Sequence, residues 1–236
     1  MKYWKPLFTL LLLWITSVNL AEAHAIWIEA SPIANKNQPQ TVKIFYGEYA
    51  NAEIEPTQDW YSDLKTIEVW LISPSQKKTK LTLSDQKTFL QAEFTPEEDG
   101  TYFVSTEHAA KDLGGQSKYV FSSVIPVQVG KSPSQVKPAS ALAVTAQAKT
   151  FTLKDDVTLQ VTAKGIAAAN AEVLVMSASG WSKTFKTDQN GTINFKPLWK
   201  GNYVIETSTY QEQAGKWNDK GHTHVWQGST TFIQVK

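Results

Sequence analysis

One histidine near the start of the chain stands where export would turn it into a metal chelator. Ala21-Glu22-Ala23 has the small-x-small pattern of a signal-peptide cleavage site, so cleavage after Ala23 would make His24 the first residue of the mature protein. A terminal histidine offers its α-amino group and imidazole Nδ1, which together close a six-membered ring around a metal ion. Their reference pKa values, about 7.7–8.0 and about 6.5, mean that a metal displaces few protons at neutral pH. His24 is therefore a predicted ligand of a divalent transition metal.

Two more histidines stand close together in the segment Gly221-His-Thr-His-Val225. Residues i and i+2 of a strand project from one face, so His222 and His224 are predicted to complete the nitrogen set begun by His24. A nitrogen set of this kind suits Cu(II) or Ni(II). The alternative is a solvated loop that carries two histidines by chance.

The fourth histidine, His108, follows Glu107 at the end of a predicted strand and is a weaker candidate ligand. A structural or solvated histidine is the alternative there. The spacing of the carboxylates does not single out any of the candidate oxygen ligands, which are Glu48, Asp59, Asp63, Glu107 and Asp219. The sequence contains no G-x-S-x-G, H-E-x-x-H or P-loop motif, so no catalytic residue is assigned and an enzyme is not expected.

Composition narrows the classes of function. The 236 residues contain no Cys, and all 23 basic residues are Lys, set against 22 acidic ones. Without Cys there is no thiolate metal site, iron–sulfur cluster or cysteine nucleophile, so a transition metal must be held by nitrogen and oxygen. A net charge of +1 argues against a nucleic-acid partner.

The first 23 residues have the composition of a cleaved signal peptide. Lys2 and Lys5 precede an apolar stretch from Leu7 to Val18, which is shorter than the roughly 20 residues of a membrane span. We expect a periplasmic protein of residues 24–236 that does not span the membrane after cleavage, with equal numbers of acidic and basic residues.

The rest of the chain is rich in strand-like segments, which predict an all-β protein. The predicted strands are 41–46, 66–72, 101–106, 118–124, 157–162, 171–176 and 230–235. The pattern F-x-P-x-x-x-G-x-Y occurs twice, at Phe94–Tyr102 and Phe195–Tyr203, and the offset of 101 residues matches one sandwich domain of about 100 residues. We expect two consecutive immunoglobulin-like or transthyretin-like β-sandwich domains, at 24–132 and 139–236, joined by a linker at 133–138.

Two family resemblances follow from these segments. In the second half, Thr187-Asp-Gln-Asn-Gly191 and Gly201-Asn-Tyr203 resemble transthyretin-like or carboxypeptidase-regulatory-like modules, where Asn190-Gly191 would form a tight hairpin turn. The mature start His24-Ala-Ile-Trp-Ile-Glu29 and Val42-Lys-Ile-Phe-Tyr-Gly-Glu48 resemble a periplasmic family, a domain of unknown function associated with nickel or cobalt uptake.

The second resemblance implies a secreted β protein that handles nickel or cobalt, with copper or zinc as other metals that fit the ligands. It implies an inner-membrane permease or an outer-membrane metal transporter as a partner. Two other classes stay open. One is a histidine-brace copper protein, either a chaperone or a polysaccharide oxygenase. The other is an adhesive or scaffolding sandwich that binds no metal.

Overall fold

The computed structural model describes residues 24–131 and 140–236. The predicted signal peptide at 1–23 and the predicted linker at 133–138 lie outside these residues. Within them, the secondary structure is nineteen strands and three short 3-10 helices, so the prediction of an all-β fold is confirmed. No helix in the described part of the chain is long and apolar enough to cross a membrane.

The first half contains ten strands and the three 3-10 turns. The strands are β1 Ala25–Glu29, β2 Ile33–Ala34, β3 Gln40–Glu48, β4 Glu53–Ile54, β5 Trp70–Ile72, β6 Lys78–Lys80, β7 Ser84–Asp85, β8 Leu90–Phe94, β9 Gly100–Ala109 and β10 Ser117–Val129. The 3-10 turns are Tyr49–Asn51, Thr57–Asp59 and Leu64–Thr66. The predicted strand at 66–72 is therefore shortened to β5, because its first residues close a 3-10 turn.

The second half contains the other nine strands and ends in a long hairpin. They are β11 Leu142–Ala146, β12 Thr150–Phe151, β13 Val157–Ala163, β14 Ile166–Ala167, β15 Glu172–Ser177, β16 Ser182–Lys186, β17 Thr192–Phe195, β18 Gly201–Trp217 and β19 Lys220–Val235.

These strands form three sheets, and the largest passes through both halves of the chain. Its main path is β16-β15-β18-β19-β10-β9-β5-β6, in which β19 from the second half pairs in parallel with β10 from the first. The other two sheets belong to one half each: β1-β3-β8-β7 with β4 to the first, and β11-β13-β14 with β17 to the second. The sandwiches thus share their middle sheet.

Side chains of the middle sheet alternate between two hydrophobic cores. Along β18, Val204 belongs to the first core, whereas Tyr203 and Ile205 belong to the second. Along β15, Met176 belongs to the first core and Val175 to the second. A strand points successive side chains to opposite faces, so the fold has three layers with one core on each side of the middle sheet.

The repeated F-x-P-x-x-x-G-x-Y segment forms the same corner in both halves. The hydroxyl of Tyr102 accepts hydrogen bonds from the main-chain N–H of Glu97 at 3.1 Å and of Glu98 at 2.8 Å. The hydroxyl of Tyr203 accepts from the N–H of Trp199 at 3.1 Å and donates to its carbonyl at 2.9 Å. In each half, the tyrosine fixes the turn that leads into its own strand, β9 or β18.

The Asn190-Gly191 turn differs from the tight hairpin that the sequence predicts. Gly191 has a φ of 72°, as the prediction requires. The flanking strands β16 and β17 do not pair with each other, because β16 pairs with β15 and β17 pairs with β13. The Asp188 carboxylate instead stabilises the turn by accepting hydrogen bonds from the N–H groups of Asn190 and Thr192, both at 2.9 Å.

Candidate metal centre at the amino-terminal histidine

His24 lies immediately before β1, at the end of the first small sheet. The antiparallel pairing of β1 with β3 sets Ala25 opposite Gly47, which brings the His24 imidazole to the side of Tyr46, with ring centroids 5.4 Å apart. Its Nε2 lies 3.2 Å from Oε1 of Glu55, and its side chain is 28% exposed. The imidazole is therefore held in one orientation while solvent still reaches it.

Glu55 is held in place by two main-chain hydrogen bonds. Its N–H donates to the carbonyl of Tyr46 at 2.9 Å, and its carbonyl accepts from the indole Nε1 of Trp60 at 3.0 Å. Trp60 is 5% exposed and packs in the first core. The loop after β4 is thus anchored to both β3 and the core, which fixes the carboxylate beside His24.

The contact between Nε2 and Glu55 favours one imidazole tautomer. A neutral histidine that donates Nε2–H to a carboxylate carries its lone pair on Nδ1, the nitrogen that would chelate together with the α-amino group. Carboxylates commonly orient metal-binding histidines in this way and raise their basicity. In the full 236-residue chain the nitrogen of His24 is an amide, so the chelate requires cleavage after Ala23.

Tyr46, beside His24, is a neutral phenol at physiological pH. Burial, and then the nearby charge of Glu55, raise the pKa of the Tyr46 hydroxyl to about 12. The side chain therefore contributes ring packing against the imidazole and no phenolate ligand.

His108 is at the end of β9, as the sequence predicts, and it forms a second histidine–carboxylate pair. Its Nε2 lies 2.9 Å from Oδ1 of Asp63, which also accepts the N–H of Lys111 at 2.8 Å. Partial burial would raise the pKa of Asp63, but these hydrogen bonds outweigh it and lower that pKa below its ordinary value. Asp63 comes from the same loop as Glu55, so one loop supplies the carboxylate to both histidines.

His222 and His224 both lie in β19, in the part of the β18–β19 hairpin nearest its turn. His222 is 7% exposed, and its buried Nδ1 has no hydrogen-bond partner among the described residues. His224 stacks on the ring of Tyr210, with centroids 4.9 Å apart and planes 7° from parallel, and its Nδ1 is 2.9 Å from the hydroxyl of Thr223. Their surroundings differ, although they are two residues apart.

The four histidines do not converge on one point. Across 24–131 and 140–236, no three His, Asp or Glu side chains are grouped so that they could hold a metal ion. The α-amino nitrogen of His24 is a main-chain atom and does not count among these side chains. A chelate formed by that nitrogen and Nδ1 of His24 therefore does not depend on such a group. The roles of His108, His222 and His224 as ligands stay predictions.

A pair of glutamates that sequence spacing did not reveal lies between the first small sheet and the middle sheet. Glu206 of β18 is on the face of the middle sheet that carries Val204, and it is largely buried. That burial, and then the negative charge of Glu48 at the end of β3, raise the pKa of Glu206 to about 7. Glu48 Oε2 is itself buried and has no hydrogen-bond partner within 24–131 and 140–236. Glu48 was a candidate oxygen ligand, and its neighbour is a second carboxylate.

Comparison with solved structures adds little. The chain is similar to Escherichia coli alpha-2-macroglobulin activated by porcine elastase, with a TM-score of 0.29 and 11% identity over 91% of this chain and 20% of that chain. It is also similar to a marsupial T cell receptor, with a TM-score of 0.24 and 10% identity over 91% of this chain and 72% of that one. The chain thus spans about a fifth of the macroglobulin, and similarities this low indicate neither a shared fold nor a shared function.

The family comparison is more informative. No curated protein matches the sequence. The family described as "Domain of unknown function (DUF4198)" matches residues 21–211, which include β1 to β17, most of β18, and both histidine–carboxylate pairs. This match covers most of the chain, and the protein therefore belongs to the DUF4198 family.

Proposed function

We propose that this protein is an exported, non-enzymatic binding protein for a divalent transition metal, and that it acts in the periplasm in nickel or cobalt uptake or delivery. The metal is chelated by the α-amino group and Nδ1 of His24 after cleavage behind Ala23. A permease or an outer-membrane transporter is the proposed partner that receives or supplies the ion.

The observation that carries this proposal is the contact between His24 Nε2 and Glu55 Oε1 at 3.2 Å. It leaves Nδ1 as the ring nitrogen available to a metal and gives the ligand an oriented, more basic imidazole. The partial exposure of His24, 28% of its side chain, lets an ion enter and leave, which transport requires.

The chelate explains binding better than it explains selectivity. The affinity of nitrogen ligands rises from Co(II) through Ni(II) to Cu(II), so the site would take copper wherever copper is free. We therefore propose that nickel or cobalt is bound according to supply. Open coordination positions around the chelate are filled by water or by the transfer partner.

Calorimetry on a chain that begins at His24 tests the proposal. We expect Ni(II), Co(II) and Cu(II) to bind with one ion per chain. The matched control retains Ala23 with its own amino group acetylated, so that the His24 nitrogen is an amide and no terminal amine replaces it; affinity should fall at least about tenfold, because the chelate ring is lost. Equal affinity with and without Ala23 would refute the proposal.

Variants of the other residues separate the proposed ligand from its surroundings. Glu55→Gln should weaken binding by roughly 10- to 100-fold, the usual effect of removing an orienting carboxylate, while Glu55→Asp should restore part of it. His108→Ala and His224→Ala should leave affinity unchanged. If His222→Ala or His224→Ala weakens binding as much as His24→Ala does, the predicted set of His24, His222 and His224 is right and the His24-only site is wrong.

A further inference from the structure

One end of the second half exposes large apolar side chains among lysines. Leu198 is 55% exposed, Trp199 41% and Leu153 41%. The Trp181 ring lies 5.7 Å from that of Trp199, at 54° to it. The lysines of these same loops are Lys154, Lys196 and Lys200, all exposed. The two acidic residues of these loops each lie within ion-pair distance of a lysine, Asp155 of Lys149 and Asp156 of Lys196. We call this surface, formed by loops 152–156, 178–181 and 196–200, the tryptophan end.

Strand pairing places the three loops of the tryptophan end together. Gly201 at the start of β18 and Phe151 at the end of β12 both pair with Val235 of β19. The turn after β15 is tied to the start of β18 by a hydrogen bond from the N–H of Ala178 to the carbonyl of Asn202 at 3.0 Å. Loops 152–156 and 196–200 are linked by the ion pair of Lys196 with Asp156 at 3.8 Å.

The first half shows that the fold does not require these apolar residues. Its copy of the corner has the same Pro, Gly and Tyr positions, yet it places Glu97-Glu98-Asp99 where the second copy has Leu198-Trp199-Lys200. Both corners are held by the tyrosine hydroxyl. The same turn is therefore acidic in the first half, and apolar and basic in the second. Since both compositions form the turn, folding does not require the apolar residues of the second corner, and we attribute them to a binding partner.

The corner also presents Trp199 rigidly. The main-chain N–H and carbonyl of Trp199 are both hydrogen-bonded to the hydroxyl of Tyr203, which is 0% exposed. Trp181 packs against the second core and contacts the Trp199 ring. Because the indole of Trp199 is already ordered, burying it against a binding partner costs less conformational entropy than burying a flexible side chain would.

We propose that the tryptophan end docks onto the surface of an anionic lipid bilayer. Leu198 and Trp199 enter the headgroup region, and Lys154 and Lys200 remain at the level of the lipid phosphates. Tryptophan is enriched at membrane–water interfaces, and each lysine near an anionic surface strengthens binding roughly fivefold.

The lysines favour lipid over a protein or a sugar. Lysine is depleted from protein–protein interfaces, whereas here Lys196 and Lys200 flank the apolar residues of the 196–200 loop. The planes of Trp181 and Trp199 are inclined at 54°, so the two rings do not form one flat platform for a saccharide. Apolar tips on separate loops, bordered by cations, match the chemistry of a bilayer surface.

Sedimentation with vesicles tests this inference in a chain that begins at His24, so that the apolar stretch from Leu7 to Val18 is not present. We expect the protein to pellet with vesicles of phosphatidylcholine plus phosphatidylglycerol more than with phosphatidylcholine alone, and less at high salt. Lys200→Gln should lower the partition coefficient about fivefold.

The decisive variant exchanges one corner for the other: Leu198→Glu, Trp199→Glu and Lys200→Asp install the acidic residues of the first copy. We expect the partition coefficient to fall by at least about tenfold, since Leu198, Trp199 and one cation are lost. Because the first copy forms its corner with these residues, the variant should keep the wild-type circular dichroism and melting temperature.

The matched control is Ile166→Glu. Ile166 is 73% exposed, more than Leu198, Trp199 or Leu153, but it lies in β14 beside Ala163, at the opposite end of β13. The Ile166→Glu substitution should leave the partition coefficient unchanged. Equal pelleting of the folded exchange variant and the wild type would overturn the proposal. The proposal would also be overturned if the wild-type protein did not bind vesicles and the exchange variant lost self-association or oligosaccharide binding that the wild type shows.

Discussion

Replacing Glu206 by glutamine should stabilise the protein at about pH 8 and flatten the pH dependence of its stability between about pH 5 and 8. Glu206 extends from β18 toward Glu48, with Thr230 and Leu174 as its neighbours on adjacent strands. Burial, and then the charge of Glu48, raise its pKa from an ordinary 4.5 to about 7. A difference of this size corresponds to about 3 kcal/mol of folding free energy.

The sign follows from which state binds the proton. Between about pH 4.5 and 7 the folded protein keeps Glu206 protonated, whereas the unfolded chain has released that proton. Stability contributed by this group is therefore complete at acidic pH, falls as the pH rises through this window, and levels off above about pH 7. Glutamine cannot ionise, so the variant should avoid the fall.

Urea unfolding at several pH values measures this effect. Glu212→Gln is the matched control, because Glu212 lies in the same strand but is exposed, and it should leave the pH dependence unchanged. Glu48→Gln should reduce the fall without removing it, since the burial of Glu206 remains. A wild-type protein whose stability is flat across this window, or a Glu206→Gln variant that falls as steeply as the wild type, would refute the reasoning.

Three further predictions test the architecture. Ile44→Ala in the first core and Leu159→Ala in the second should each cost about 2–5 kcal/mol and move a single unfolding transition in calorimetry. Two separate transitions would mean that the shared sheet does not couple the halves. Gly191→Ala should cost roughly 1–3 kcal/mol in urea unfolding, because φ is 72° and the new Cβ would lie 2.6 Å from the carbonyl of Val161; an unchanged midpoint would contradict this. Tyr203→Phe and Tyr102→Phe should each cost roughly 1–3 kcal/mol in the same assay by leaving main-chain groups unpaired, and no loss in either would show that the corners are not held by these hydroxyls.

The sequence predicted the fold class and seven of the nineteen strands in the described residues, because alternation of apolar and polar residues is a local signal. It also predicted the repeated corner, since Pro, Gly and Tyr occupy fixed positions in it. It did not predict that the sandwiches share a sheet. The pairing of β10 with β19 joins Ser117 to His224 in register, and a strand's own sequence does not specify which distant strand it will join.

The residues of the candidate site were likewise predicted only in part. His24 stood out because its chemistry depends on a cleavage pattern immediately before it. Glu55 did not, because it reaches His24 through a loop anchored by Tyr46 and Trp60, which only the folded chain brings together. The sequence named Asp63 only as a candidate metal ligand. In the structure, its carboxylate lies within hydrogen-bond distance of His108.

The shared middle sheet also sets an order for folding. Phe232 of the last strand and Met176 and Val204 before it belong to the first core, so that core stays incomplete until β19 is available. The pairing of β10 with β19 closes a loop of roughly a hundred residues, which makes its formation slow relative to local hairpins. Ile233 and Val235 of β19 belong to the second core, so neither core is complete until the last strand has been synthesised. In the export that we propose, a chain whose cores are still incomplete would be easier to pass across the membrane than a folded one.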